Sequence, residues 1–424
     1  MSEVTQPSDD AAARRLYRRN YLAHAFDGGL FIGAMAFVNA STVLPTMVKN
    51  LGGPNWLIAL VPILMLIGFL TPPIFTAHLI DRQPRYMPIL LFSGVFQRAP
   101  YLVAALVLLY LAGTWPVVGL MALALTPLVA GTAGGSTMTA WQQLIVRTIP
   151  ENRRSSVFAW RYAMSCVLGV AAGWVVKEVL DRYPGCVGYG LLHLAAFTGV
   201  ALSYVAFTMI REPHVDPPAD RPHRNLWENL RDIPNLLRSE RRLVLYLAAG
   251  AFASGIYIVV PFLAIRATHI LSRPESYVGD LVTAQMAGAI LGNILAGYLG
   301  DRFGGKVVMM ISQGVFIAMA AWSVVAATDA EFRGIFVLFG FAFFALQVGA
   351  STLNLEICPL RQRSTYLAII TLFNMPAMLA ATAISALVGD AGIRYGLLVV
   401  LMVASLLVSL TLLTRLRDPR AGPA

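Results

Sequence analysis

Apolar runs of about 20 residues or more recur from one end of this chain to the other, and that feature removes most folds from consideration. A helix of that length crosses the ~30 Å hydrocarbon core of a bilayer, and inside lipid only helices and closed barrels satisfy their own backbone. Twelve helical spans are read, at 21–48, 55–80, 88–112, 116–146, 156–181, 187–210, 242–267, 276–300, 307–327, 332–357, 364–389 and 393–414. Only 13% of the residues are charged, about half the share of a soluble domain. The expected fold is an all-α integral membrane protein with 12 transmembrane helices. The polar start, MSEVTQPSDDAAARRLYRRN, has neither the short apolar core nor the cleavage site of a secretory signal, so span one is expected to stay in the membrane.

An even number of spans puts both termini on one side. The net charge of +10 is distributed so that the side is readable. Lys49, Lys177, Arg182, Arg266, Arg273, Arg333 and Arg394 fall in the segments facing away from the termini. Apart from Arg98 and Arg161 within spans, every other Lys and Arg faces the side of the termini. Basic residues gather on the cytoplasmic side of membrane proteins, so both termini are expected in the cytoplasm, in a plasma or bacterial inner membrane. Attraction to anionic lipid accounts for the charge, and nucleic acid is not an expected partner. Cys166, Cys186 and Cys358 have no metal-ligand spacing, and no phosphate-binding loop, His-Glu-x-x-His or nucleophile elbow occurs. Neither an enzyme nor a cofactor is expected.

Between spans six and seven lies a polar, proline-rich stretch. It is followed by Leu226, Leu230, Ile233 and Leu237 at helical spacing beside Trp227, with Pro234 to kink or restart the helix. The expected organisation is a tail at 1–20, a six-helix bundle at 21–211, a linker with an interfacial helix at 212–241, a second bundle at 242–415 and a tail at 416–424. The halves echo each other twice. Ala77-His-Leu-Ile-Asp81-Arg82 matches Gly297-Tyr-Leu-Gly-Asp301-Arg302, and Pro150-Glu-Asn-Arg-Arg154-Ser155 matches Pro359-Leu-Arg-Gln-Arg363-Ser364. Both echoes fall between spans two and three and between spans four and five of their half, which reads as a parallel repeat about an axis along the membrane normal.

Gly297, Asp301, Arg302, Gly304 and Lys306 closely resemble the Gly-x-x-x-Asp-(Arg/Lys)-x-Gly-x-(Arg/Lys) signature of the major facilitator superfamily of secondary transporters. The first copy keeps Asp81 and Arg82 but has Ala77 and Pro84 where glycines stand, and Arg85 one place early. The resemblance implies two parallel-repeat six-helix bundles, with each acid meeting the start of a helix in the opposite bundle. Asp81 would meet span eleven near Arg363 and Ser364, and Asp301 would meet span five near Arg154 and Ser155. A cytoplasmic gate of Asp81, Arg82, Arg154, Asp301, Arg302, Lys306, Glu356 and Arg363 follows, closed when the cavity opens outward. Simple anchoring of these loops at the headgroups is the alternative; it requires basic residues but no acid.

Ionisable groups within spans are costly enough to mark function. His24 and Asp27 lie in the first third of span one, and Arg161 lies at similar depth in span five, so an Asp27–Arg161 pair is expected, either structural or part of a proton or substrate site. Arg98 sits about ten residues into span three and must face protein or water. Asn39, Tyr257, Gln285, Gln347 and Asn374 approach the middle of spans one, seven, eight, ten and eleven; the resemblance places several of these spans around a central cavity, while each residue alone also fits a simple interhelical hydrogen bond. Gly29/Gly33, Gly169/Gly173 and Gly288/Gly292 fit close helix crossings. The expected function is secondary active transport of a small organic solute, amphipathic among the options, by alternating access with proton coupling through Asp27 or Glu356. A facilitative uniporter and a non-transporting receptor or sensor are the alternatives. A monomer in contact with membrane lipids is expected.

Overall fold

The computed structural model describes residues 7–72, 76, 84–213, 237–238, 240–358, 363–389 and 394–417. Asp81, Arg82, the interfacial helix expected up to residue 236 and Pro359 lie outside them. Among the described residues there is no strand. Ten helices are long and apolar enough to cross a membrane, and two shorter apolar ones, Asn55–Leu70 and Leu372–Val388, lie where spans two and eleven are expected.

Three of the expected spans are broken. Span one runs as a helix over Pro7–Ala34, a 3-10 turn over Met35–Val38 and a second helix over Val43–Asn50, not as one helix over 21–48. The cause is local chemistry. The Asn39 carbonyl accepts from the amides of Thr42, Val43 and Leu44, while its side-chain Oδ1 accepts from Ser41 N at 3.0 Å. Such side-chain bonds compete with the helical ladder. Span seven breaks at the matching place in the second half, between Arg241–Ala253 and Ile256–Ile270. Span four breaks at Thr137, between Pro116–Ser136 and Met138–Thr148.

The other spans are continuous: Met87–Tyr110 (three), Glu151–Arg182 (five), Cys186–Thr208 (six), Tyr277–Phe303 (eight), Gly305–Val325 (nine), Asp329–Ile357 (ten) and Tyr395–Arg415 (twelve). Spans one to six pack on one another and spans seven to twelve do likewise. The two groups meet where span five runs along span eight, span two along span eleven, and the second pieces of spans one and seven cross. The start of span one and the end of span twelve lie on one face, here the terminal face; the opposite one is the far face.

The glycine pairs sit at the crossings. Gly29 and Gly33 face Met164 and Leu168 of span five, Gly288 and Gly292 face the backbone of Val337 and Phe341 in span ten, and Gly173 lies against Thr283 and Gly279 of span eight. Small residues let helix backbones approach where lipid supplies no hydrophobic drive. Large side chains such as Phe92, Phe96, Trp160, Trp174 and Leu387 are exposed on the outside, which suits contact with lipid tails.

In the signature turn, span eight ends at Phe303 and span nine starts at Gly305. Gly304 between them takes φ +84°, a conformation that glycine adopts without penalty. Gly305 N donates to Glu356 Oε2 at 3.2 Å, so an acid from span ten caps span nine.

Candidate functional site

Four spans converge on the Asp27 carboxylate. Span one carries His24, Asp27, Gly28 and Phe31 at helical spacing, so they share a face. Arg98 of span three donates Nη2–H to Asp27 Oδ1 at 3.4 Å, and Arg161 of span five donates Nη1–H to Asp27 Oδ2 at 3.3 Å. The Ser203 hydroxyl of span six donates to Oδ1 at 2.8 Å. Asp27, Arg98 and Arg161 are 5%, 7% and 8% exposed, so the cluster is buried with two cations for one anion. Buried charges survive only when paired and hydrogen-bonded.

The two arginines differ in how their five donors are used. Arg98 is fully engaged. Its Nε donates to Val200 O at 2.8 Å, Nη1 to Gly94 O at 3.1 Å and Gln97 Oε1 at 3.3 Å, and Nη2 to Ser203 Oγ at 3.1 Å besides Asp27. Tyr204 and Phe31 rings lie 5.0 and 5.4 Å from its guanidinium carbon. Arg161 spends only Nη1, on His24 O at 2.8 Å and on Asp27. Its Nε and Nη2 have no hydrogen-bond acceptor among the described residues. The guanidinium lies over Trp141, 5.1 Å from the ring centre, and against Gly28, where a Cβ would stand 2.0 Å from Arg161 Cζ.

His24 sits behind this cluster, fully buried, with Nε2 at 2.9 Å from Thr148 Oγ1. That hydroxyl already donates to Leu144 O, so it accepts from His24. The hydrogen is therefore on Nε2, and Nδ1 is left without a partner.

The cluster forms one wall of a cavity of about 610 Å³ within the first six spans. Its ionisable side chains are Asp27, Arg98, Arg154 and Arg161 together with the Tyr162 phenol; Gln97, Gln142 and Thr137 add polarity, and Phe31, Phe69, Trp141, Phe158 and Phe207 supply apolar surface. Pockets of roughly 300–1,000 Å³ with a few placed polar groups are the size that small ligands fill.

Polar groups also join the two bundles toward the far face. Glu275 accepts from Asn50 Nδ2 at 2.7 Å, from Gly185 N at 2.6 Å and from the Tyr189 hydroxyl. Lys177 Nζ lies 3.0 Å from Asp280, which also faces Arg333 at 3.5 Å. Asn55 donates to Gly389 O at 2.6 Å. Sequence reasoning passed over these residues. Lys177 was visible as a cation on the sparsely charged face, but nothing in the sequence paired it with an acid of the other half.

The residues singled out at mid-span only partly meet. Asn39 Nδ2 donates to Gln285 Oε1 at 3.3 Å, and Thr42 Oγ1 donates to the same oxygen at 2.8 Å, linking broken span one to span eight. Tyr257, Gln347 and Asn374 do not join that contact; Gln347 is exposed and Asn374 packs against Gly250 of span seven. Three of the expected gate residues make bonds inside their own halves. Arg154 donates to Ile149 O and Val146 O, Arg302 to the Tyr298 hydroxyl, and Lys306 to Leu416 O at 2.6 Å. The side chain of Arg363 lies outside the described residues. Among the described residues no cluster of metal ligands occurs.

Residues 243–424 match the family model of the Major Facilitator Superfamily. No curated protein matches the chain significantly. Among solved structures, a point mutant of the nucleoside transporter NupG aligns with a TM-score of 0.69 at 14% identity over 95% of this chain and 100% of its own. A D-xylose-proton symporter aligns with a TM-score of 0.65 at 14% identity over 93% and 97%. A POT family transporter in complex with 5-aminolevulinic acid aligns with a TM-score of 0.68 at 11% identity over 95% and 97%. At such identities the likeness is one of fold.

Proposed function

From a chain whose second half belongs by sequence to the Major Facilitator Superfamily, and which has that fold throughout, we propose secondary transport of a small organic solute by alternating access. The protein is a multi-pass membrane protein of a transporter family. The observation that carries the reading is the uneven join between the bundles. Among the described residues, the polar contacts between spans five and eight run from Lys177–Asp280 near the far face to Cys166–Asn293 at mid-span, with Glu275 joining the bundles at the far face itself. The cavity lined by Asp27 and Arg154 lies beyond that level, toward the terminal face. With the terminal face cytoplasmic, in a plasma or bacterial inner membrane, this is the arrangement of an inward-facing carrier. Rocking the bundles apart at the far face would present the same cavity to the other side.

Coupling to protons is the first reading of the energy source, with Asp27 as the acid on the solute cavity. A facilitative uniporter is the second, because both Asp27 oxygens already accept from guanidinium groups. Solute flux in inverted vesicles, with and without a proton gradient, separates them. Accumulation against a gradient supports coupling, equilibration alone supports the uniporter, and no flux of any solute by a folded chain removes transport.

A further inference from the structure

The cavity has a charge imbalance that narrows what it can hold. We propose that the solute is a monoanion with an apolar, ring-bearing body, bound by the Nε–Nη2 edge of Arg161 within the amino-terminal bundle; the proposal rests on the transport reading above.

The argument begins with the donors. Arg98 has every nitrogen committed and both Asp27 oxygens are taken, so neither is a ligand in this state. Arg161 is nine-tenths buried, lines the cavity, and keeps one edge of its planar fork unspent among the described residues. A guanidinium edge with two parallel N–H groups fits a carboxylate, sulfonate or phosphate oxygen pair. Charge agrees with this geometry. Asp27 offsets one of the two buried arginines, and Arg154 adds a third cation to the lining while already bonded to two backbone carbonyls. One negative charge on the solute would offset the cation left over from the Arg98–Arg161 pair after Asp27, and a cationic solute would meet three cations against one anion. The remaining wall is aromatic and aliphatic, with Trp141, Phe158 and Tyr162 among its residues, and Gln142, next to Trp141 in span four, adds a polar side chain. Gly28 maintains the arrangement: any side chain there would occupy the place of the guanidinium.

The test uses the purified full chain in nanodiscs, titrated with benzoate, phenylacetate and benzenesulfonate, with benzamide and benzylamine as neutral and cationic analogues. Binding is read from tryptophan fluorescence and thermal shift. The expected result is saturable binding of at least one anion and at least tenfold weaker binding of both analogues. Arg161→Gln should weaken the anion by about 30-fold or more, and Arg161→Lys, which keeps the charge but loses the fork, by less. Because removing Arg161 can impair folding, the anion-to-amide comparison in the unmodified chain decides the matter independently. Equal binding of benzoate and benzamide, preference for benzylamine, or no anion binding at millimolar concentration overturns the proposal. Flux of the same probes in proteoliposomes keeps the two readings apart. Anions that bind but never cross overturn transport and leave this site standing, whereas neutral or cationic flux insensitive to Arg161→Gln overturns this site and leaves transport standing.

Discussion

Replacing Gly279 by alanine should pry the far face open. Gly279 lies in the first turn of span eight, where a Cβ would stand 2.3 Å from Lys177 N and 2.5 Å from Gly173 O in span five. Both neighbours are backbone, so no flexible side chain can yield. Restoring van der Waals contact requires the two spans to part by about 1 Å, and overpacking of that kind costs about 1–3 kcal/mol. The cost falls on the far-closed state alone, because the crossing is undone when the bundles separate. The equilibrium should therefore move toward the far-open state by about 5- to 150-fold. Spin labels at exposed Tyr183 and Arg273, one on each bundle at the far face, report the distance after the three cysteines are replaced. The distribution should gain a longer component. Gly314→Ala on span nine serves as the control, since a Cβ there meets nothing within 4 Å and alanine favours the helix. An unchanged distance distribution, with thermal stability lowered by the full 1–3 kcal/mol, would refute the idea that this crossing moves during the cycle.

Gly28→Ala should displace the Arg161 guanidinium, with a loss of about 3–5 kcal/mol from the stranded charges, read as a lower thermal midpoint together with lost anion binding. Asp27→Asn should cost a similar amount by removing the counter-charge of two buried arginines; full retention of gradient-driven accumulation by that variant would exclude Asp27 from coupling. Ser203→Ala removes one hydrogen bond to the carboxylate and should cost about 1.5–3 kcal/mol, visible in the same melting assay. At the far face, Lys177→Ala should change stability by no more than about 1 kcal/mol, because that pair is partly exposed. Glu275→Gln, which weakens three contacts from the other bundle, should lengthen the Tyr183–Arg273 distance more than Lys177→Ala does.

Span positions could be read from the chain because lipid leaves the backbone one economical solution, so apolar length maps almost directly onto helix. The Asp27–Arg161 pair was readable for the same reason, since a charge in a span needs a partner and these two share a depth. Arg98 as the second partner of Asp27 was not readable. Which neighbouring span it faces depended on the rotation of span three, which periodicity in a nearly all-apolar helix does not encode. The breaks at Asn39–Thr42 and Ser254–Gly255 were hidden because an 18- to 20-residue apolar window averages over a short polar run. The gate was read from a family pattern, and the side chains of three of its members, Asp81, Arg82 and Arg363, lie outside the described residues. Lys306 donates to Leu416 O at the end of span twelve, and Glu356 accepts from Gly305 N of span nine, each within its own half.

The two breaks connect the fold to the cavity. They fall at matching positions of the two halves, in the first span of each, and broken helices at corresponding positions are where carriers of this repeat type expose polar backbone near the middle of the membrane. Here the break in span one is tied across the bundle interface. Asn39 uses its Oδ1 to hold the turn and its Nδ2, with the Thr42 hydroxyl, to hold Gln285. The link is buried, lies at mid-span and involves short side chains, so it tolerates a change of angle between bundles better than a change of separation. The far-face contacts at Glu275 and Asp280 are long-armed, partly exposed and closer to water, where breaking them costs less. A rocking motion needs a tight join at the middle and looser joins at the ends. Among the described residues, the polar contacts along spans one, five and eight have that grading, and on the proposed transport reading the pivot falls at Gln285 with the Asp27 cavity on its terminal side.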